Sequence, residues 1–306
     1  MMNREEAKHR IDKLTNELNI HNHRYYVLAN PVISDYEFDM MMKELEVLEK
    51  EYPELADPNS PAKKVGGAVT KTFEQFRHIR PMLSLANVYS FDELNDFDAR
   101  IRKATGEEFR YVCELKFDGV AIALHYEKGR LVRAVTRGDG SEGDIVTDNI
   151  RTVRSVPLQL LGESFPDELE IRGEVVMSRE GFNAFNSQRA ENGEQPFANP
   201  RNATAGSLKM QESSEVARRP LDCLFYSIAS ENLSSDSHYE LMSAAREWGF
   251  KVHNSMSICS NLDEVSAFIN KWDKQRLQLD FETDGVFVKV DNYQLQEQLG
   301  FTAKSP

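Results

Sequence analysis

The hydrophobic period of this chain switches from helical to strand-like, and that switch limits the folds open to it. Ala7, Ile11, Leu14 and Leu18, continued by Tyr25, predict an amphipathic helix over residues 3–28. Asn30-Pro31 breaks it. Ser34-Asp35-Tyr36-Glu37 is a capping box, and the helix it opens carries Phe38, Met41, Met42, Leu45 and Leu48 on one face and ends near Pro53. DPNSPAKKVGG, residues 57–67, has linker composition. After a further helical stretch around 91–104, alternation takes over, with strands expected at Tyr111–Leu115 and Val120–Tyr126. EKGR (127–130) reads as a tight turn and Leu131–Arg137 as the returning arm. Further strands are expected at 168–177, 222–229 and 284–290, and helices at 238–248 and 263–277. Hairpins mixed with helices predict an α+β fold. The expected division is a small helical domain, 1–68, followed by antiparallel sheets flanked by helices, 69–306.

With 306 residues and 40% hydrophobic content, the chain suits one large domain or two. No apolar run approaches the roughly 20 residues that span a bilayer, so no membrane role is expected. The start, MMNREEAKHR, has no apolar segment behind it and does not read as a signal peptide. Cys113, Cys223 and Cys259 are too scattered for a disulfide framework or a zinc site, which points to a reducing cytoplasm. The formal net charge of -13 argues against strong duplex DNA binding by this chain alone.

TRGDGSEGD, residues 136–144, matches the glycine spacing of a dinucleotide-binding turn. Its surroundings do not. The preceding run carries Arg133 and Arg137 and is the second arm of a hairpin, whereas a Rossmann first strand is buried and parallel. Asp139, Glu142 and Asp144 would also repel a pyrophosphate. A Gly-rich turn is the better reading, although a helix start could follow it.

Chemistry concentrates elsewhere. In CELKFDG (113–119), strand alternation places Glu114, Lys116 and Asp118 on one face. A lysine there can act as a nucleophile only if it is neutral, by a lowered pKa or a partner that takes its proton. Alone, the motif also describes a solvated ion pair. In IRGEVVM (171–177), Arg172 and Glu174 share a face, as on any polar strand edge. TDGVFVKV (283–290) puts Asp284 before a turn glycine and Lys289 inside an apolar run, where it must pair or snorkel. FANPRNATAGSLK (197–209) reads as a loop for polar ligands or phosphates, with Arg201 as the charged donor. Tyr25, Tyr26, Asp35, Phe38 and Asp39 could clasp a flat cationic ring, or simply belong to a helical hairpin with solvated acids.

Together and in this order, YYVLANPVISDYEFD, DPNSP before KKVGG, PMLSL, CELKFDG, TRGDG, RGE, ANPRNATAGSLK, DGVFVKV and GFTAKSP closely resemble the N-terminal part of bacterial-type NAD+-dependent DNA ligases. The resemblance implies a helical domain for the nicotinamide mononucleotide (NMN) half of NAD+ and a nucleotidyltransferase domain for the adenylate half. It implies that Lys116 attacks the α-phosphorus of NAD+ and becomes lysyl-AMP. Asp118 and Asp284 would support the nucleophile and a Mg2+ ion, the metal through water. Glu174 would hold the ribose. Lys289 and the backbone near Glu114 would meet the adenine, with Tyr226 stacked on it. Ser84, Leu85, Arg137 and Arg201 would line the nucleotide site, and Tyr25, Tyr26, Asp35, Phe38 and Asp39 the NMN site. Phe38, Lys209 and Ile145 stand where the family has tyrosine, arginine and an acid. The match stops at GFTAKSP, short of a further lysine motif and of the DNA-encircling modules. The expectation is an adenylation module that reaches nicked duplex DNA through those modules. The alternative is an NAD+-binding subunit of a split ligase, inactive without its partner.

Overall fold

The computed structural model describes residues 3–28, 30–65, 72–231 and 233–300, with only the backbone of Asp35, Lys64 and Val65. The expected boundary at 68/69 and the GFTAKSP tail beyond Gly300 lie outside these residues.

The N-terminal unit is a helical hairpin. Helix α1 (Arg4–Asn22) packs on α2 (Asp35–Glu51) through Ile11, Leu14, Leu18, Leu45 and Leu48. Both helices begin in complete capping boxes, Asn3 with Glu6 and Ser34 with Glu37. The expected helix over 3–28 is α-helical only to Asn22. His23–Val27 forms a π-helical turn, closed by Leu28 N–H donating to the His23 carbonyl at 3.1 Å. Tyr25 and Tyr26 lie in that turn.

The larger unit holds two main sheets. Strands β1 (Gln75–Arg77) and β5 (Glu142–Asp144) make a small ribbon. The three-stranded sheet has the order β8 (Ser257–Cys259), β2 (Tyr111–Phe117), β9 (Thr283–Val290). The four-stranded sheet has the order β4 (Arg130–Thr136), β3 (Val120–Glu127), β6 (Glu168–Met177), β7 (Leu221–Ile228). All pairings in these sheets are antiparallel, as the alternation predicts. The β3–β4 turn places Lys128 and Gly129 at φ 48 and 74, which explains a glycine at the second position.

Two cores follow from strand alternation. Tyr111, Cys113, Val288 and Val290 face α3 (Phe91–Thr105) and α9 (Leu262–Gln275). Ile122, Leu124, Ile171, Val175, Cys223 and Phe225 face the segment Val153–Leu160 and Trp248, which follows α8 (His238–Glu247). The opposite residues, Glu114 and Lys116 on β2 and Glu174 on β6, are left for the cleft between the sheets.

TRGDGSEGD ends in β5, between antiparallel strands, with Gly138 and Gly140 at φ 56 and 96, and the expected helix start follows it at α4 (Thr147–Ile150). One expectation changes. ANPRNATAGSLK is not a loop. Pro200–Leu208 is a helix, α6, capped by Asn199, whose side chain accepts from Asn202 N–H at 2.8 Å. Its buried face is made of Ala203, Thr204, Ser207 and Leu208, mostly too small or polar to register as an apolar stripe. Helices α5 (Arg179–Glu191), α7 (Ser213–Val216) and α10 (Tyr293–Leu299) were likewise not expected.

Candidate active site

Lys116 stands near the end of β2, opposite Gly285 of β9. Its Nζ lies 2.5 Å from Asp284 Oδ2, and both side chains are partly open to solvent. The register slips between Lys116 and Phe117, and the chain then turns at Asp118, whose N–H donates to the Glu282 carbonyl at 2.9 Å. Asp118 Oδ1 accepts from Arg201 Nη1 of α6 at 2.9 Å. Gly119 completes the turn. A Cβ there would stand 2.1 Å from the Val175 carbonyl oxygen, so only glycine lets β2 and β3 approach β6 this closely.

Across the cleft, burial pushes the Glu174 carboxyl up to about 7 despite the opposing charges of Arg201, Lys116 and Arg137. Lys116, Asp284, Asp118, Arg201, Arg137 and Glu174 therefore converge around one point. Arg172 does not join them. Its guanidinium donates to the Pro81 and Arg80 carbonyls at 3.1 and 2.6 Å and pins the segment leading to Ser84 and Leu85. Met82 N–H adds a bond to the Gly140 carbonyl at 2.9 Å. Ser84 and Leu85 themselves are exposed.

Deeper in the cleft, Glu114, Glu174, Leu224, Tyr226, Val252 and Phe287 line a pocket. Glu114 is buried and accepts from Lys289 Nζ at 2.7 Å and from His238 Nε2 at 2.6 Å. Burial alone would raise the Glu114 carboxyl, but Lys289 and His238 outweigh it and hold it near about 2. Lys289 also donates to the Tyr226 carbonyl at 2.8 Å. The Tyr226 and Phe287 rings are 6.1 Å apart, and the ammonium groups of Lys116 and Lys289 lie 5.9 and 5.5 Å from the Phe287 ring centre. Burial pushes the Tyr226 hydroxyl up, so it stays protonated.

Reading the sequence alone missed His238 and Phe287. Phe287 sat inside a quoted motif, opposite Glu114 in the register, and strand alternation could have found it. His238 opens an ordinary helix and carries no such signal.

The aromatic cluster of the helical hairpin lies elsewhere. The Tyr25 and Tyr26 rings are 4.7 Å apart, and Tyr26 OH accepts from Arg154 Nη1 at 2.7 Å, with the guanidinium 5.3 Å from the ring centre. Arg154 belongs to the segment packed on the Val175 and Cys223 face of the sheet, the reverse of the face carrying Glu174. Asp57 with Arg130, and Asn59 Nδ2 with the Leu131 carbonyl at 2.9 Å, tie down the hairpin's exit on the same side. Phe38 packs against the helical core and Asp39 is exposed. The Asp35 side chain lies outside the described residues.

Direct metal binding does not fit this donor set. Asp118 and Asp284 are each paired with a protein cation, and among the described residues no three His, Cys, Asp or Glu side chains converge. No cysteine cluster suited to zinc exists among them either, the three cysteines being free and buried.

Lys116, paired with Asp284 at a strand end in a cleft between two antiparallel sheets, lies in the part of the chain that matches an adenylation domain. The description "NAD-dependent DNA ligase adenylation domain" matches residues 70–306, and "DNA ligase-like, N-terminal NAD+-binding domain" matches residues 4–66. The chain belongs to the NAD-dependent DNA ligase family. It is 54% identical to the DNA ligase of Christiangramia forsetii over 98% of this chain and 45% of that protein. It is 52% identical to that of Flavobacterium psychrophilum (97% and 45%) and 50% identical to that of Bacteroides fragilis (98% and 45%). The chain thus spans a little under half the length of these relatives. No helix among the described residues is long and apolar enough to cross a membrane.

Proposed function

We propose that this chain performs the first step of nick sealing in DNA replication and repair, transferring the adenylate of NAD+ to Lys116. The convergence of Lys116, Asp284, Asp118, Arg201, Arg137 and Glu174 carries this reading. The Lys116 ammonium first gives a proton to Asp284, already 2.5 Å away. The neutral amine then attacks the α-phosphorus, an N–P bond forms, the P–O bond to the NMN phosphate breaks, and the second nitrogen proton goes to the departing NMN phosphate. Arg201 and Arg137 balance the charge of the transferring phosphoryl group, and Glu174 accepts from the ribose hydroxyls. Glu114 and Lys289 meet the adenine, between Tyr226 and Phe287. Ser84 and Leu85 close the nucleotide's outer side.

In-line attack needs the departing NMN held opposite Lys116. We assign that task to Tyr25, Tyr26, Asp35, Phe38 and Asp39 of a helical domain, residues 1–68. Tyr26 must then leave Arg154 and the hairpin must swing to the other face of the sheet. The Arg154–Tyr26 contact is exposed and worth about 0.5–1 kcal/mol. Arg154→Ala is expected to tighten NAD+ binding by about two- to fivefold by releasing the hairpin. Titration calorimetry reads this directly, and unchanged or weaker binding would count against the swing. Sealing of nicked duplex DNA would need parts corresponding to the remainder of its relatives, supplied in cis or in trans, in the cytoplasm. The test of the adenylation step is intact mass after incubation with NAD+. A gain of one adenylate from NAD+ and none from ATP supports it; a gain from ATP alone sinks it.

A further inference from the structure

We propose that His238 is the positioning residue that makes this cleft selective for a 6-aminopurine, by fixing the orientation of the Glu114 carboxylate. The inference rests on the reading that the adenine of NAD+ meets Glu114 and Lys289.

Glu114 is 5% exposed and His238 1% exposed. A carboxylate buried this deeply must have its oxygens satisfied. Lys289 takes one oxygen and His238 Nε2 the other. Nε2 faces a carboxylate and so carries hydrogen, while Nδ1 lies 3.0 Å from the Tyr293 hydroxyl, which itself lies 3.3 Å from the Ile228 carbonyl. The ring is fixed from behind as well. His238 N–H donates to the Asp291 carbonyl at 2.7 Å, and Ser237 Oγ donates to the Asp291 carboxylate at 2.9 Å. The imidazole is thus a rigid donor whose hydrogen points at Glu114.

The two anchors differ in kind. Lys289 is a flexible point charge whose ammonium also donates to the Tyr226 carbonyl. With Lys289 alone, the carboxylate could rotate to follow the ammonium. With His238 on the other oxygen, rotation is blocked. Each Glu114 oxygen keeps a lone pair, and Lys289 keeps one of its three hydrogens. The cleft therefore presents an acceptor beside a donor. The edge of a 6-aminopurine offers an amino hydrogen at C6 and a lone pair at N1, which matches. A 6-oxopurine reverses both and matches neither. Sites built to pair a substrate polar group reject the mismatched analogue strongly, because buried groups are left unpaired.

The experiment measures dissociation constants for NAD+ and for its hypoxanthine analogue (deamino-NAD+) by titration calorimetry. It uses the full chain and its His238→Leu, His238→Gln, His238→Asn and Glu114→Gln variants, each checked for folding by circular dichroism. The unmodified chain is expected to prefer NAD+ by about a hundredfold or more. His238→Leu lowers that preference at least about tenfold, and His238→Gln, whose amide can still donate to Glu114, retains it within about threefold. If the leucine variant does not fold, His238→Asn, whose amide is too short to reach, takes its place with the same expectation. A folded leucine or asparagine variant with unchanged preference, beside a Glu114→Gln variant that has lost it, overturns the role of His238. Unchanged preference in both overturns the adenine reading of the cleft and this inference with it. A purely structural role for His238 would weaken both dinucleotides equally.

Discussion

Lys116→Ala abolishes the adenylate adduct that NAD+ forms on this chain, a loss of at least about 10^4 in rate, because among the described residues no other amine in the cleft can take its place. Lys289 is the obvious substitute, but its ammonium is committed to Glu114 and the Tyr226 carbonyl. Lys116→Arg fails equally, since a guanidinium stays protonated and is no nucleophile. The loss is chemical and not a folding defect. The Lys116 side chain is 38% exposed and its partner Asp284 41%, so removing the pair changes stability by no more than about 0.5 kcal/mol. NAD+ should still bind, because the adenine and ribose contacts come from other residues. Intact mass and calorimetry on the same sample separate the two steps. Binding retained with the adduct lost is the expected result. An adduct that survives Lys116→Ala would move the nucleophile elsewhere and dissolve the proposed mechanism.

How far the sequence carried this reading depended on what each residue's neighbours were. Strands β2, β3, β4, β6, β7 and β9 were legible as apolar, β-branched runs between turn residues, although five consecutive residues of β2 and of β3 are buried; helix α1 was legible from its apolar period and α2 from the capping box at Ser34. Helix α6 was not legible. It packs through Ala203, Thr204 and Ser207, so the period that betrays a helix is written in small and polar residues, and its signal lay in Asn199-Pro200. The β5 strand was hidden for another reason. It pairs over three residues with β1, and such short ribbons carry no alternation to detect. Among site residues, Glu114, Lys116, Glu174 and Lys289 follow from alternation, whereas Asp284 reaches Lys116 through the register shift at the end of β2. His238 does not follow from it, because what places it against Glu114 is the docking of α8 across the open end of the cleft, a contact 124 residues away in sequence. The same limit applies to Tyr26. The motif identifies an aromatic pair, but its present partner, Arg154, is set by how one folded unit rests on another.

Glu174→Gln should make the chain more stable and a poorer NAD+ binder at the same time. The Glu174 carboxyl, ordinarily near 4.5, is pushed up to about 7, chiefly by burial. Below the unfolded value both states hold the proton and no penalty exists. As pH rises from there, the unfolded chain ionises while the fold still keeps its proton, so stability declines. Above about 7 both are ionised and the penalty is complete, roughly 3 kcal/mol from the shift and about 2 after solvent screening of a side chain that is not fully enclosed. The glutamine variant has no such proton to lose. It should match the parent near pH 4 and exceed it by about 2 kcal/mol at pH 8, read by urea unfolding at both pH values. Binding runs the other way. If the ionised carboxylate accepts from the ribose, NAD+ affinity of the parent weakens as pH falls through 7, and the variant binds at least about tenfold more weakly at pH 8 with a flatter pH profile. Equal affinity in parent and variant would remove Glu174 from the ribose site. A gain in stability with loss of binding would instead mark Glu174 as a charge the fold keeps under strain for its ligand, with Arg201, Arg137 and Lys116 gathered around it to make that tolerable.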